Sequence, residues 1–394
     1  MEEWKVIQLK EVCELIPGFA FKSSEFGEHD YSAVKIGDIQ PPYVREEGLT
    51  GVDISRYSKE KLEKFKVYFG DFVLAMTGAT IGKIGRYIGT SGAYINQRVL
   101  LFRPKENEIK EYLYFCLQTP VFQQYIFNHI DSQTAQPNIS AGSVSGIEIL
   151  LPGISVQNKI ANILSALDSK IELNNRINHN LHNLAQELFN NNIAENACRS
   201  SGWRSASLLD IAEYLNGLAM QKYPAINGEF SLPVLKIKEL GQQACDANSD
   251  RCTESIPEQF VVKDGDIIFS WSGTLLVDFW CGGKCGLNQH LFKVSSDMYP
   301  NWFVYFWTKH HLDRFIRIAK DKAVTMGHIK RGDLGKAEVV IPEDAVMKKL
   351  NSEIAPLISE CIERRIENRK LQSIRNSLLP KLMSGELKIN DLTC

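Results

Sequence analysis

The chain has 394 residues, 44% of them hydrophobic and 23% charged, with a formal net charge of −2. These proportions predict a soluble globular protein of two to three domains. No apolar run reaches the roughly 18 residues needed to span a bilayer, and a charge this close to zero is unusual for a nucleic-acid binder acting alone.

From the N-terminus, MEEWKVIQLKEVCEL lacks a signal-peptide pattern, so a cytoplasmic location is expected. The apolar spacing of WKVIQLKEVCELIPG reads as an amphipathic helix. Short strands are expected at Ser32–Ile36, Phe72–Met76 and Arg98–Phe102, separated by Gly and Asp turns. A helix follows from about Ile109 to His129, interrupted near Pro120, and a strand ends at Pro152. Residues 1–152 are thus one module.

Ser155 reads as the N-cap of a long helix in residues 153–202. Its apolar residues Ile160, Leu164, Leu167, Ile171, Ile177, Leu181, Leu184 and Leu188 are mostly four and three apart. That is a coiled-coil seam, broken by a polar stretch around Asn174. A second module, 203–342, begins with WRSASLLDIAEYLNG, which echoes the first module's start. It contains a strand Asp266–Trp271 and an aromatic helix Trp302–Ile316, whose rings are expected in the core. A second long helix in residues 343–394 repeats the seam at Leu350, Ile354, Leu357, Cys361, Leu371, Ile374, Leu378 and Leu382. The two helices pair as an antiparallel coiled coil, with Asn174 and Asn178 facing Arg364 and Asn368.

The chain therefore says nearly the same thing twice, and a repeat of this period decides architecture before any local reading. GDFVLAMTGAT at Gly70 answers GDIIFSWSGTL at Gly265, and Asn96-Gln97 answers Asn288-Gln289. ISAGSVSGIEILLP at Ile139 answers IKRGDLGKAEVVIP at Ile329. The offset between copies drifts from 201 at Lys35 to 195 at Gly70, 192 at Asn96 and 190 at Pro152. The frame is kept while the loops differ, and loops carry binding function. The fold class is α+β: two mixed α/β modules in pseudo-twofold repeat, separated by two long antiparallel helices.

Catalytic chemistry is missing. No two glycines stand two positions apart, so the G-x-G of nucleotide and S-adenosylmethionine folds is absent. Gly78-Ala-Thr-Ile-Gly82-Lys83 is one residue short of a phosphate-binding loop, and Ile84 stands where Ser or Thr must hold the metal. Gln40-Pro41-Pro42-Tyr43 resembles an amino-methyltransferase signature, but Gln replaces the expected residue and the second copy lacks it. Nine cysteines form no dense framework and read as reduced thiols. Cys245, Cys252, Cys281 and Cys285 match no common zinc spacing. Between Lys309 and Lys336 lie eight Lys/Arg against three acids. This is either a solvated helix face or a phosphate-tracking surface.

The order module, coiled-coil helix, module, coiled-coil helix resembles the specificity subunit of type I restriction–modification systems. The resemblance rests on LLPGISVQNKIANILSALDSKIELNNRIN (Leu150–Asn178), FSWSGTLLVDFWCGGKCGLNQHLFKV (Phe269–Val294), DKAVTMGHIKRGDL (Asp321–Leu334) and NSLLPKLMSGEL (Asn376–Leu387). The family's usual Glu-Gln after the first junction is Val156-Gln157 here, and the second junction has Val346-Met347.

What the resemblance implies is a DNA-reading subunit without catalysis. Each module would be a target-recognition domain for one half of a split, asymmetric double-stranded DNA site, held at fixed spacing by the helices. Two methyltransferase subunits would dock on it, and restriction subunits would join them. S-adenosylmethionine, ATP and magnesium would belong to those partners, and the chain itself would hold no cofactor or metal. Side chains with donor and acceptor groups read bases, while phosphate contacts position the protein. The DNA-facing candidates are therefore Lys83, Arg86, Asn96, Gln97 and Arg98 in the first module. In the second they are Lys284, Asn288, Gln289, Lys322, Lys330 and Arg331. The Asn-Gln pairs occur in both copies, which suits a shared structural task as well as base reading. The competing reading is a non-enzymatic coiled-coil scaffold that binds protein and not DNA.

Overall fold

The computed structural model describes residues 4–131, 137–194, 202–226, 230–321 and 327–388. It divides into two compact units, residues 1–168 with 374–394, and residues 169–373. Both units are built from the same parts.

In the first unit, strand Lys5–Gln8 pairs antiparallel with Glu148–Leu151, so the module's two ends meet. A single helical turn, Leu9–Val12, follows and is capped by Glu11, which accepts the Gln8 N–H at 2.7 Å. Strand Cys13–Pro17 then enters a five-stranded sheet with Val99–Pro104, Phe72–Ala75, Ile84–Tyr87 and Tyr43–Val44. The start of the chain is therefore strand, turn, strand, and not the expected helix. Leu9, Cys13 and Ile16 are all buried. Their spacing of four and three imitates a helix, while pairing with strands about ninety and 140 residues away decides the backbone.

The central strand shows why an uninterrupted apolar run is needed. Phe72 and Leu74 face a core with Leu100, Phe102, Tyr112, Leu113, Phe115, Phe122 and Ile126. Val73 and Ala75 face the other way, into Val34, Val67, Tyr87, Ile95 and Leu101. A strand covered on both faces reads as continuous hydrophobicity. The second layer is a five-stranded sheet in the order Phe26–Gly27, Thr50–Val52, Tyr31–Val34, Ala93–Ile95, Lys66–Val67. Helices Lys110–Cys116 and Pro120–Asn128 cover the first core, with the break at Thr119-Pro120 where the proline was expected to interrupt.

The second unit repeats this. Arg204–Ser207 pairs with Glu338–Ile341, and the turn Leu208–Ile211 leads to Glu213–Asn216. One four-stranded sheet holds Glu213–Asn216, Leu291–Ser295, Ile267–Ser270 and Val277–Phe279. The other holds Arg251–Thr253, Ser231–Leu235, Cys285–Leu287 and Val261–Val262. Ile267 and Phe269 face one core and Ile268 the other, as in the first unit. The copies differ where the offset drifts. Among the described residues the strand Tyr43–Val44 has no counterpart, and the second unit has the helix Ile237–Gln242 after Lys236.

The aromatic segment lies in the core as expected, with Trp302, Phe303, Tyr305, Phe306 and Trp307 all buried. It is two helices and not one, Asn301–His310 and Leu312–Asp321. The chain turns at His311, whose buried ring pairs with the Glu338 carbonyl at 2.7 Å.

The shared Gly-Asp turns have a common geometry. Gly70 and Gly265 adopt φ of 83° and 90°, a region that favours glycine. Asp71 accepts the Tyr68 N–H at 3.0 Å and pairs with Lys110 at 2.7 Å. Asp266 accepts the Lys263 N–H at 2.8 Å and pairs with Lys293 at 2.8 Å.

The long helices are Ile154–Phe189, 36 residues, and Asp344–Met383, 40 residues. At 1.5 Å per residue they extend roughly 54 and 60 Å. Helix one starts at Ile154, so Gly153 and not Ser155 is the capping position. Gln157, buried one turn in, donates to the Pro152 carbonyl at 2.7 Å. In the first unit Ile160, Leu164, Leu379 and Leu382 join the main core, and Asp168 is paired with Arg375 at 2.6 Å.

In the second unit the helices run antiparallel through a polar layer. Asn174, fully buried, donates to Glu367 at 2.7 Å and to Asn368 at 2.9 Å, and accepts from Arg364 at 3.0 Å. Asn368 donates to Asn175 at 2.8 Å. The Cys361 thiol lies 3.6 Å from the Asn178 carbonyl. Two expected seam positions fall off the seam: Leu184 is 47% exposed and Ile374 is 48% exposed. The buried line passes instead through Asn174, Asn178, Ala185 and Phe189 on one helix, and through Asn368, Leu379 and Leu382 on the other.

Candidate nucleic-acid interface

In each module a hairpin ends beside the Asn-Gln turn. In the first, the strands Phe72–Ala75 and Ile84–Tyr87 are joined through Met76–Lys83. Met76 N–H donates to Arg98 O at 2.9 Å, and Ala75 N–H to Lys83 O at 2.9 Å. Exposed Lys83, Gln97 and Arg98 are thereby brought to one end of the module. Asn96 is half-buried and its main chain pairs with Val34 O and Val99 N. Glycine 18 packs on it so closely that a Cβ there would sit 2.1 Å from the Asn96 carbonyl oxygen.

Arg86 is placed differently. Its guanidinium pairs with Glu111 at 2.8 Å and stacks 4.0 Å over the Tyr114 ring, with the side chain 19% exposed. Such a half-buried cation over an aromatic face is held by the fold itself.

In the second module Gln289 and Lys330 lie at the matching end. Trp271 N–H donates to His290 O at 3.4 Å, and Ile329 N–H to Trp271 O at 3.1 Å. Asn288 is buried, its Oδ1 accepting the His290 N–H at 3.2 Å. A Cβ on Gly217 would meet its carbonyl oxygen at 2.2 Å, as at Gly18. The Asn of each pair is therefore a turn-former under a glycine, and the Gln beside it is the more accessible member. Lys330 caps the short helix Arg331–Gly335, its N–H donating to Asp333 at 2.8 Å, and both Lys330 and Arg331 are exposed. Lys284, also exposed, stands at the opposite end of strand Cys285–Leu287 from Asn288. Lys322 lies outside the described residues.

The basic stretch Lys309–Lys336 is not one surface. Lys309 turns inward to His182 at 3.1 Å, Arg314 donates to the Lys336 carbonyl at 2.9 Å, and His311 is buried. Burial, aided by Lys309, pushes the His182 imidazole down to about 4. Seven cysteines are free thiols, and among the described residues no group of three or more His, Cys, Asp or Glu is placed to hold a metal ion. No helix among those residues is long and apolar enough to cross a membrane.

The residues that single-site reading missed are Thr77, Ser272, Trp271 and His290. Trp271 donates to Asn216 at 2.9 Å, and the Ser272 hydroxyl meets His290 Nδ1 at 3.0 Å. For Thr77, Trp271 and Ser272 the signal that could have found them was the alignment of MTGAT with WSGTL.

Residues 1–183 match the family model described as the type I restriction modification DNA specificity domain. The type I restriction enzyme MjaIX specificity subunit of Methanocaldococcus jannaschii is 25% identical, over 99% of this chain and 95% of that one. The HindI specificity subunit of Haemophilus influenzae is 20% identical, over 74% and 81%. The crystal structure of a type I restriction–modification S subunit from M. genitalium shares the fold, with a TM-score of 0.61 over 97% of this chain and 96% of that one at 14% identity. With its duplicated α+β module and paired long helices, the chain is similar over nearly its whole length to specificity subunits of type I restriction–modification systems.

Proposed function

We propose that each module reads one half of a split, asymmetric double-stranded DNA site and that the chain directs its partners to that site. The matching family model is described as a DNA specificity domain, and the similar proteins are specificity subunits. The observation that carries the two-half reading is the repeat itself: one frame, built twice, with different loops at the same end. A single reader repeated without change would favour a symmetric site. Two differing readers favour an asymmetric one.

The chain on this reading is non-catalytic. Two methyltransferase subunits supply S-adenosylmethionine chemistry, and restriction subunits add ATP- and magnesium-dependent cleavage, in the cytoplasm. Lys83, Asn96, Gln97 and Arg98 face DNA from the first module, and Gln289, Lys330 and Arg331 from the second. Arg86, Lys284 and Asn288 stand apart from that set because of where they are held. The scaffold alternative is not favoured by the similarities.

Exchanging residues 203–342 for the corresponding module of a relative tests the reading. Methylation mapping of a host carrying the chimera and its methyltransferase should show one half of the site changed and the other retained. A change in both halves would refute independent readers.

A further inference from the structure

The hairpin end of each module contains a corner whose main chain is closed identically. Gly78 N–H donates to Pro137 O at 3.1 Å, and Gly273 N–H to Gly327 O at 3.1 Å. Ile139 N–H donates to Met76 O at 3.0 Å, and Ile329 N–H to Trp271 O at 3.1 Å. Thr77 bridges to Asn138, and Ser272 to His328. A hydroxyl thus occupies the same position in both modules, on residues 8% and 4% exposed.

The side chains of this corner are closed only in part: the Ser272 hydroxyl meets His290 Nδ1 at 3.0 Å and Asn288 Oδ1 accepts the His290 N–H at 3.2 Å. Thr77 Oγ1, Asn96 Oδ1 and Gln289 Oε1 are buried without a hydrogen-bond partner among the described residues. Buried polar atoms are nearly always paired, so an orphan calls for an explanation. Two of the three lie at the first module's corner and one at the second's.

The two modules read different half-sites, so chemistry they share at equivalent positions cannot distinguish bases. A contact both need is the sequence-independent one, to the sugar–phosphate backbone, which Ser, Thr, Asn and Gln side chains commonly make. We propose that this corner is where each module grips a DNA phosphate, with Thr77, Asn96 and Gln97 in the first and Ser272 and Gln289 in the second. This rests on the DNA-recognition reading above. A χ1 rotation turns the Thr77 hydroxyl outward as a donor. A bridging water donates one hydrogen to Asn96 Oδ1 or Gln289 Oε1 and the other to a phosphate oxygen. The exposed Gln97 amide donates directly. Base reading then falls to the loops that differ between modules.

The experiment uses the full chain reconstituted with its methyltransferase, after methylation mapping has defined the site. Dissociation constants are measured on three duplexes: the intact site, the site with its first half scrambled, and the site with both halves scrambled. Thr77→Val keeps the volume and β-branch and removes the hydroxyl. It should weaken all three by the same factor, roughly tenfold for a hydrogen bond to a charged group, with preference for the intact site retained. Gln97→Ala, at an exposed position, should weaken all three uniformly, and it decides the matter if Thr77→Val melts early. Ser272→Ala repeats the test in the second module. Unchanged binding on every duplex would make the corner purely structural and overturn the proposal. Loss confined to duplexes with an intact first half would make Thr77 or Gln97 a base reader and overturn it equally. A wild-type complex that fails to prefer the intact site would instead overturn DNA recognition itself.

Discussion

Asn174 and Asn368 form the polar layer between the long helices, and their removal can be worked through. Asn174 is fully buried and Asn368 is 6% exposed. In Asn174→Ala, Glu367 keeps Lys170 at 3.5 Å and Arg364 keeps Glu360 at 2.6 Å. Asn368 Oδ1 loses its donor while remaining buried. An orphaned buried acceptor costs about 1–3 kcal/mol, so a loss of about 2 kcal/mol is expected. Asn368→Ala strands both Asn174 Nδ2 and Asn175 Oδ1 in part and should cost a similar amount. Replacing both by leucine removes the buried amides together, leaves Asn175 to solvent and Arg364 to Glu360, and extends the apolar seam, which is commonly neutral or stabilising. The double leucine variant should therefore lie within about 1 kcal/mol of wild type, a coupling of about 3 kcal/mol against the summed single losses. Urea unfolding followed by circular dichroism measures all the variants. If the double variant loses as much as the two single variants added together, the residues are not a pair and the polar layer is not what it is argued to be. A buried polar layer also specifies register at a cost in stability, so the double variant should show more heterogeneous site spacing when its methylation is mapped.

Gly18→Ala and Gly217→Ala each drive a Cβ into a carbonyl oxygen of the Asn turn and should cost about 3 kcal/mol, the upper end for overpacking; thermal midpoints would show it, and an unchanged midpoint would mean the turn yields freely. Because His182 is neutral in the fold down to about 4 and titrates near 6.5 when unfolded, the unfolded chain alone takes up that proton as pH falls. The stability it contributes is complete above pH 6.5 and is lost between there and about 4, amounting to about 2 kcal/mol after allowing for its partial exposure. His182→Gln should flatten that limb in a pH series of unfolding midpoints, and an identical slope would refute it. Inserting four residues after Ile171 adds about one turn, roughly 6 Å. On the proposed reading, methylation mapping should find the unspecified stretch between half-sites longer by one to two base pairs, about 3.4 Å each; unchanged spacing would separate helix length from site geometry.

The repeated frame was legible because its signals are local: Gly-Asp turns, buried apolar strands and a polar interruption in a heptad pattern. Asn174 opposite Arg364 and Asn368 was readable from matching seams. The errors are those of pattern meeting long-range contact. Leu9, Cys13 and Ile16 imitate a helix, but distant strands claim their backbone. The expected seam resumed at Ile177 after the polar stretch, whereas the buried line continues through Asn178 itself. That one-residue slip moved Leu184 onto the seam and left out Ala185 and Phe189. The partners of Arg86 were not legible, because nothing nearby in sequence announces Glu111, 25 residues on, or the Tyr114 ring. Thr77 and Ser272 were visible in the shared phrases but carry too little chemistry to stand out before their burial is known.

The closure of each hairpin onto its neighbouring loop is made by main-chain atoms, Gly78 to Pro137 and Gly273 to Gly327. Main-chain hydrogen bonds do not depend on which side chain a residue carries. Met76 and Trp271 occupy the same node although one is a thioether and the other an indole, and so do Arg98 and His290. Exposed side chains around such a node can be exchanged freely without loosening what holds it. A lineage can thus revise the surface of one module by point substitution, leave the other untouched, and keep a folded protein at every step.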